Sequence, residues 1–206
     1  MNPVLAELEL GGTGAAWERL GFAIVDDRLR IGAVALRFTG REPLGIAGWT
    51  LAGAGRDDID GLPTLLAEEV SEPGEPPAHP NGALRLDHVV VFTPDLDRTF
   101  AALEAAGLDL RRVRDAGTPE HPLRQGFYRL GEAILEVVGD VEPAGPARFW
   151  GLVVVVSDLD ALAERLGDEL GAPRAAVQPG RRIATLRESA GLGVPVAFMS
   201  AASDTR

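Results

Sequence analysis

The chain of 206 residues contains no cysteine and no lysine. Without thiols there is no disulfide framework, no thiolate nucleophile and no cysteine-ligated zinc or iron–sulfur centre. All 20 basic residues are arginine, they face 31 Asp and Glu, and the net charge is −11. That balance leaves no broad cationic surface for sequence-independent nucleic-acid binding, and it disfavours an anionic membrane as partner. No apolar run approaches the roughly 20 residues that cross a bilayer. The opening MNPVLAELEL has neither the basic region nor the apolar core of a signal peptide, so a cytoplasmic location is expected. The glycine cluster in LELGGTGAAW lacks both dinucleotide-binding spacing and a P-loop lysine, and no G-x-S-x-G elbow occurs. Histidine is scarce, with three in the chain. What is present is 46% apolar and 25% charged, the mix of a soluble globular protein of one or two domains.

Self-comparison gives the organisation. LDHVVVFTPDLD (86–97) aligns without a gap on FWGLVVVVSDLD (149–160), each a strand-type run closing in Asp-Leu-Asp. A helical pattern follows each. Leu96, Phe100, Leu103 and Ala106 fall on one helical face, as do Leu159, Leu162, Leu166 and Leu170. Thr93 and Ser157 are the expected N-caps, and Gly107 and Gly171 the expected helix ends. Three strand-like runs come next: LDLRRVRD, QGFYRL and EAILEVVG in the middle unit, RAAVQ, RRIATLRE and GVPVAFMS in the last. The order strand–helix–strand–strand–strand thus occurs twice, with antiparallel hairpins after the helix. The N-terminal section repeats it loosely, as VLAELELGG, a short helix in GAAWERLGF, then AIVDD, RLRIGAVALRF and LGIAGWTLAG. An irregular sheet extension is the other reading of that section. SEPGEPPAHPNG reads as an extended connector, with a short helix in PTLLAEEV before it. The expected layout is a degenerate unit or sheet extension over 1–54, a Pro/Gly-rich linker over 55–84, units over 85–144 and 145–200, and a tail over 201–206.

These residues resemble a known family. LDHVVVFTPDLD and YRLGEAILEVVG look like the first and last strands of a βαβββ module of the vicinal oxygen chelate superfamily, the glyoxalase/bleomycin-resistance/extradiol-dioxygenase group. The resemblance is good over 85–200 and loose over 1–54. It implies an α+β fold of paired βαβββ modules, forming a curved mixed sheet that makes a cup, with helices on its convex side. In that family metal ligands from the first and last strands point into the cup, and some members bind a small molecule there without metal.

Carried over by position, the resemblance gives His88 the first-strand metal-ligand place. Glu136 takes the last-strand place, as ligand and catalytic carboxylate. Strand alternation puts Leu86, His88, Val90 and Phe92 on one face, and Ile134, Glu136 and Val138 on one face. An imidazole and a carboxylate suit Zn, Fe(II), Ni or Mn. Gln125 and Arg129, on either side of Phe127, are the candidate substrate contacts, and Arg181 and Arg182 open the corresponding strand of the last unit. That unit departs from the pattern. Gly151 stands where His88 would be matched and Ala197 where Glu136 would be, and neither coordinates metal. Two protein ligands are one short of a catalytic zinc site. His121 is the candidate replacement, any divalent metal should be weakly bound, and Gly151 and Ala197 should leave room for a bulkier ligand.

Three functions stay open. One is a metal-assisted enzyme of glyoxalase (lyase or isomerase) or dioxygenase type, acting on a small oxygen-rich metabolite. The second is a metal-free small-molecule-binding protein of the bleomycin-resistance type. The third is a non-catalytic structural or regulatory module, its cup closed by Trp150. Trp49 and Trp150 are large apolar side chains, and core packing is the expected role of Trp150, with closing or lining the cup as the other reading. An unpaired third unit would expose a sheet edge, so a homodimer is expected.

Overall fold

The computed structural model describes residues 2–69, 76–118, 120, 122–139 and 144–202. Among these residues the strands form two sheets. The N-terminal one is built from β1 (Val4–Gly11), a short α1 (Ala15–Arg19), β2 (Ile24–Val25), β3 (Arg28–Ile31), β4 (Val34–Phe38), β5 (Gly45–Ala52) and β6 (Thr64–Ala67). The second holds β7 (Ala83–Thr93), α2 (Leu96–Ala105), β8 (Leu110–Gly117), β9 (Pro122–Leu130) and β10 (Ala133–Gly139). It continues with β11 (Arg148–Val156), α3 (Leu159–Leu166), β12 (Arg174–Ala175), β13 (Arg182–Thr185) and β14 (Val196–Ser200). No helix among the described residues is long and apolar enough to cross a membrane.

The fold is α+β, made of paired βαβββ modules. The eight-stranded sheet has the order β12-β13-β14-β11-β7-β10-β9-β8. In each unit the first strand runs parallel to the last, β7 with β10 and β11 with β14, and the units meet antiparallel at β7–β11. The order therefore reads the same from either edge, as a pseudo-twofold requires. The six-stranded sheet, β2-β3-β4-β1-β5-β6, repeats this plan in shortened form. Its first four strands match one complete unit. β5, antiparallel to β1, and β6, parallel to β5, match only the first and last strands of a second unit.

Two local expectations for this sheet fail. RLRIGAVALRF is not one strand: a two-residue turn at Gly32, with φ of +63°, folds it into the hairpin β3–β4. PTLLAEEV contributes a strand, β6, where a helix was expected. The Trp49 amide donates to the Pro63 carbonyl at 3.0 Å, and the indole Nε1 donates to Thr64 Oγ1 at 2.7 Å, so pairing overrides the helix propensity of Leu65 and Leu66.

The caps also differ. Asp95 accepts from the Arg98 amide, and Asp158 from the amides of Asp160 and Ala161, so these aspartates hold the N-cap positions expected of Thr93 and Ser157. The chain stays extended up to each aspartate, with φ of −140° and −138°. α2 gives way to Gly107 as expected, whereas α3 ends early, at Gly167. α2 packs on the convex face, where the Phe100 ring lies in the space a Cβ on Gly126 would need. One hydrophobic core runs through both sheets. Trp49 meets Phe149 edge-on at 5.2 Å, and Phe22 stacks on Phe198 at 6.1 Å.

His79 fastens the connector to the N-terminal sheet. Its Nδ1 accepts from the Ala23 amide at 3.1 Å, and its Nε2 sits 2.7 Å from the Arg30 carbonyl oxygen. The carbonyl can only accept, so the neutral ring carries its proton on Nε2. Burial lowers its pKa, against the opposing pull of the Arg30 carbonyl. The unfolded chain therefore binds the second proton more readily. Stability is full above the ordinary histidine pKa of about 6.5 and is lost as pH falls through that value towards the folded pKa. Urea denaturation should show wild-type stability declining between about pH 7 and pH 5. His79→Gln should flatten that slope and cost about 1 kcal/mol at neutral pH. An unchanged slope in the variant would assign the pH dependence elsewhere.

Candidate functional site

The site is set by an irregularity in β7. His88 pairs with Val153 and Leu86 with Val154, so Asp87 is an extra residue, a β-bulge. The bulge breaks the simple alternation. Leu86 turns into the core with Val89 and Val91, while His88, Val90 and Phe92 line the concave face. The expected common face for Leu86 and His88 is therefore not found. On β10 the alternation holds, and Ile134, Glu136 and Val138 line the cup.

Because β7 and β10 are paired, the structure brings His88 and Glu136 together, with Nε2 3.3 Å from Oε2. Gln125 on β9 donates through Nε2 to Glu136 Oε1 at 2.7 Å. Arg114 on β8 donates in turn to Gln125 Oε1, through Nε at 2.8 Å and also through Nη2. On the other side His88 Nδ1 lies 3.0 Å from Asp87 Oδ2. Arg181 donates to Asp87 Oδ1 at 2.9 Å, and Arg85 approaches the same oxygen at 3.3 Å. Burial on its own would raise the Asp87 carboxyl pKa. Hydrogen bonds from His88 and Arg181, with the Arg181 charge, outweigh it and hold the group well below the usual carboxylate range. A polar chain thus crosses the cup floor from Arg114 to Arg181.

Arg129 does not join it. It lies on β9 beyond Phe127, is exposed, and is outside the residues lining the cup; Arg114 stands beside Gln125 instead. His121 is outside the described residues.

The strand registers show what faces this pair across the pseudo-twofold. Val90 pairs with Gly151 as Val153 pairs with His88, and Val90 pairs with Glu136 as Val153 pairs with Ala197. Gly151 and Ala197 therefore occupy the positions equivalent to His88 and Glu136. A Cβ on Gly151 would lie 2.8 Å from the Pro195 carbonyl oxygen, which is held by the Leu152 amide at 3.0 Å. The expected free space at Gly151 is thus filled by Pro195, whereas Ala197 does border a cavity. In the N-terminal sheet the equivalent registers place Glu7 and Arg37, which form an ion pair at 2.9 Å.

The resemblance implies a divalent metal at His88 and Glu136, and the donor set tests it. No group of three or more His, Asp or Glu side chains among the described residues converges to hold a metal ion. Asp87 is committed to Arg181 and Arg85, and Gly151 cannot be enlarged. Among the described residues the donor set is two, one short of the three that a catalytic zinc takes from the protein.

The cup has two compartments that share His88, Glu136 and Ile183. One, of about 580 Å³, is lined by Arg112, Arg114 and Arg174 together with Phe127 and Met199. Neither Arg112 nor Arg174 has a carboxylate partner among the described residues. The other, of about 330 Å³, is walled by Val90, Phe92, Val138, Trp150, Leu152 and Ala197. Sequence reasoning passed over Asp87, Arg112, Arg114 and Arg174. Arg112 and Arg114 were readable as alternate residues of one strand, but nothing local shows that Arg174 stands in the same cavity.

Compared with solved structures, the chain is similar to a mutant 4-hydroxymandelate synthase from Streptomyces coelicolor. The TM-score is 0.66 at 15% identity, covering 98% of this chain and 94% of that one. It is also similar to a xylose isomerase-like TIM barrel/4-hydroxyphenylpyruvate dioxygenase fusion protein, at TM-score 0.64 and 12% identity, covering 98% of this chain and 49% of that one. Methylmalonyl-CoA epimerase from Mycobacterium tuberculosis matches at 21% identity over 59% of this chain and 91% of its own, with a TM-score of 0.47. No protein-family model matches the sequence, and no curated protein matches it. The sheet order and the two likenesses that cover 98% of this chain give it the paired βαβββ fold of those structures.

Proposed function

We propose that the C-terminal cup binds a small molecule carrying an anionic group and an apolar body, without a resident metal. The observation that carries this is the pair of guanidiniums, Arg112 and Arg174, which line one compartment with no carboxylate partner among the described residues, while the adjoining compartment is apolar. In a chain of net charge −11, two exposed arginines that line one cavity with no carboxylate partner among the described residues suit an anion. His88 and Glu136, held by Asp87 and Gln125, lie between the two compartments and contact whatever spans them. The metal-assisted enzyme implied by the resemblance is the alternative. It needs a third ligand from outside the described residues, for which His121 is the candidate.

Calorimetric titration with naphthalenesulfonate, a minimal amphipathic anion, tests the reading. We expect saturable one-to-one binding that weakens with salt. Replacing both Arg112 and Arg174 with Gln should weaken it about tenfold, since exposed charge contacts contribute up to about 1 kcal/mol each. Titration with Zn, Ni, Mn and Fe(II) should show no tight stoichiometric site. Tight one-to-one metal binding that His88→Ala abolishes would replace this reading with the metal-assisted enzyme. Sulfonate affinity unchanged in the double Arg variant would remove the anion site.

A further inference from the structure

The bulge at Asp87 has a counterpart. In β11 Phe149 pairs with Val91 and Gly151 with Val90, so Trp150 is the extra residue there, at the place equivalent to Asp87. In one unit the bulged side chain is drawn into buried ion pairs. In the other it is an indole turned out onto the cup wall. Trp150 stacks on Phe92 at 4.8 Å with 16° between the rings, which covers one surface of the indole, yet it remains 39% exposed. The chain's other two tryptophans, Trp17 and Trp49, are each 2% exposed. Phe92 itself is covered by Trp150 and has the Arg148 guanidinium 5.4 Å from its ring centroid. The other apolar walls of the compartment, Val90, Val138, Leu152, Val153 and Ala197 among them, are aliphatic, and the His88 imidazole that also lines it is held between Asp87 and Glu136.

We infer that Trp150 is the residue that sets ligand specificity, by stacking a planar aromatic ring of the ligand in the apolar compartment. This rests on the binding reading above and names its ligand class: an aromatic anion, ring on Trp150, charged group towards Arg112 and Arg174, its middle passing His88 and Glu136. An aliphatic anion of equal apolar area gains the same burial but not the ring–ring geometry.

Two measurements test it. Trp150 is the accessible indole, so naphthalenesulfonate should protect the protein's emission from acrylamide quenching, and Trp17 and Trp49 should add little to the change. Calorimetry on naphthalenesulfonate and octanesulfonate should show a preference for the aromatic anion. Trp150→Leu should lower that preference about fivefold, and Trp150→Phe should restore most of it. If Trp150→Leu leaves the preference unchanged while the Arg112/Arg174 dependence persists, the specificity role is overturned and the binding reading stands. If the wild-type protein binds neither sulfonate, both are overturned.

Discussion

Arg181→Met is expected to destabilise the protein by roughly 3 kcal/mol, the low end of what breaking a buried ion pair costs. The Asp87 side chain is 3% exposed and that of Arg181 10%. The guanidinium reaches Asp87 Oδ1 at 2.9 Å through Nη1 and the Ser200 carbonyl at 2.9 Å through Nε. Removing it leaves a buried carboxylate supported by His88 and by Arg85, a more exposed and more distant cation. The loss is therefore less than complete isolation of the charge and more than loss of one ordinary hydrogen bond. Replacing both partners, Asp87→Leu with Arg181→Met, should cost less than Arg181→Met alone, because no unpaired charge then remains. The acid limb should move as well. A carboxyl held below its usual pKa of about 3.9 contributes stability that is present above that value and lost as pH falls through it. In Arg181→Met the folded pKa rises, so this contribution shrinks, and its loss, which still begins near the unfolded value, is complete at a higher pH. Urea denaturation of the wild type and both variants between about pH 3 and pH 7 measures all of this. A cost under about 1 kcal/mol for Arg181→Met would show that the pair does not hold the bulge. The same variant should weaken naphthalenesulfonate binding, since Asp87 orients the His88 ring inside the cup.

The repeat was legible because each unit carries its own local signals. Apolar strand runs, Asp-Leu-Asp at the helix start and a helical apolar stripe all lie within one unit, and the equivalence of His88 with Gly151 could be read from the alignment of two short segments. The pairing of His88 with Glu136 was reachable because each strand was identified and the resemblance supplied their adjacency. What could not be read depends on contacts between units. A bulge leaves no mark in the alternation pattern, since Leu86, Val89 and Val91 read equally well as two interrupted faces. Arg181 is 94 residues from Asp87, and a lone arginine in a hairpin gives no sign of its partner. The same holds for Arg114, which displaced Arg129 from the reading only because β8 and β9 are paired in this register. The turn at Gly32 and the strand β6 failed for another reason. There the local propensities of RLRIGAVALRF and PTLLAEEV were indifferent or opposed, and sheet pairing decided the outcome.

Trp49→Ala is expected to cost about 3–5 kcal/mol, the range for deleting a buried aromatic side chain. The indole is 2% exposed and lies where the two sheets meet, edge-on to Phe149 of β11 at 5.2 Å and 74°. Its Nε1 donates to Thr64 Oγ1, whose own hydroxyl donates to the Leu62 carbonyl at 2.8 Å, so truncation removes a donor but strands no proton. The larger part of the cost is the cavity left between sheets that share one continuous core. Trp49→Phe should recover more than half of the loss by refilling that space without the hydrogen bond. Phe149 directly precedes Trp150 and Gly151, so the same contact supports the cup wall. Naphthalenesulfonate affinity should therefore drop in Trp49→Ala even under conditions where the variant is fully folded. Because the core is continuous, far-UV circular dichroism and tryptophan emission should report one coincident urea transition in the wild-type protein. Two separated transitions, or a cost below about 1 kcal/mol, would mean that the C-terminal cup folds without support from the N-terminal sheet, and that the shortened half of the chain serves some purpose other than bracing the site.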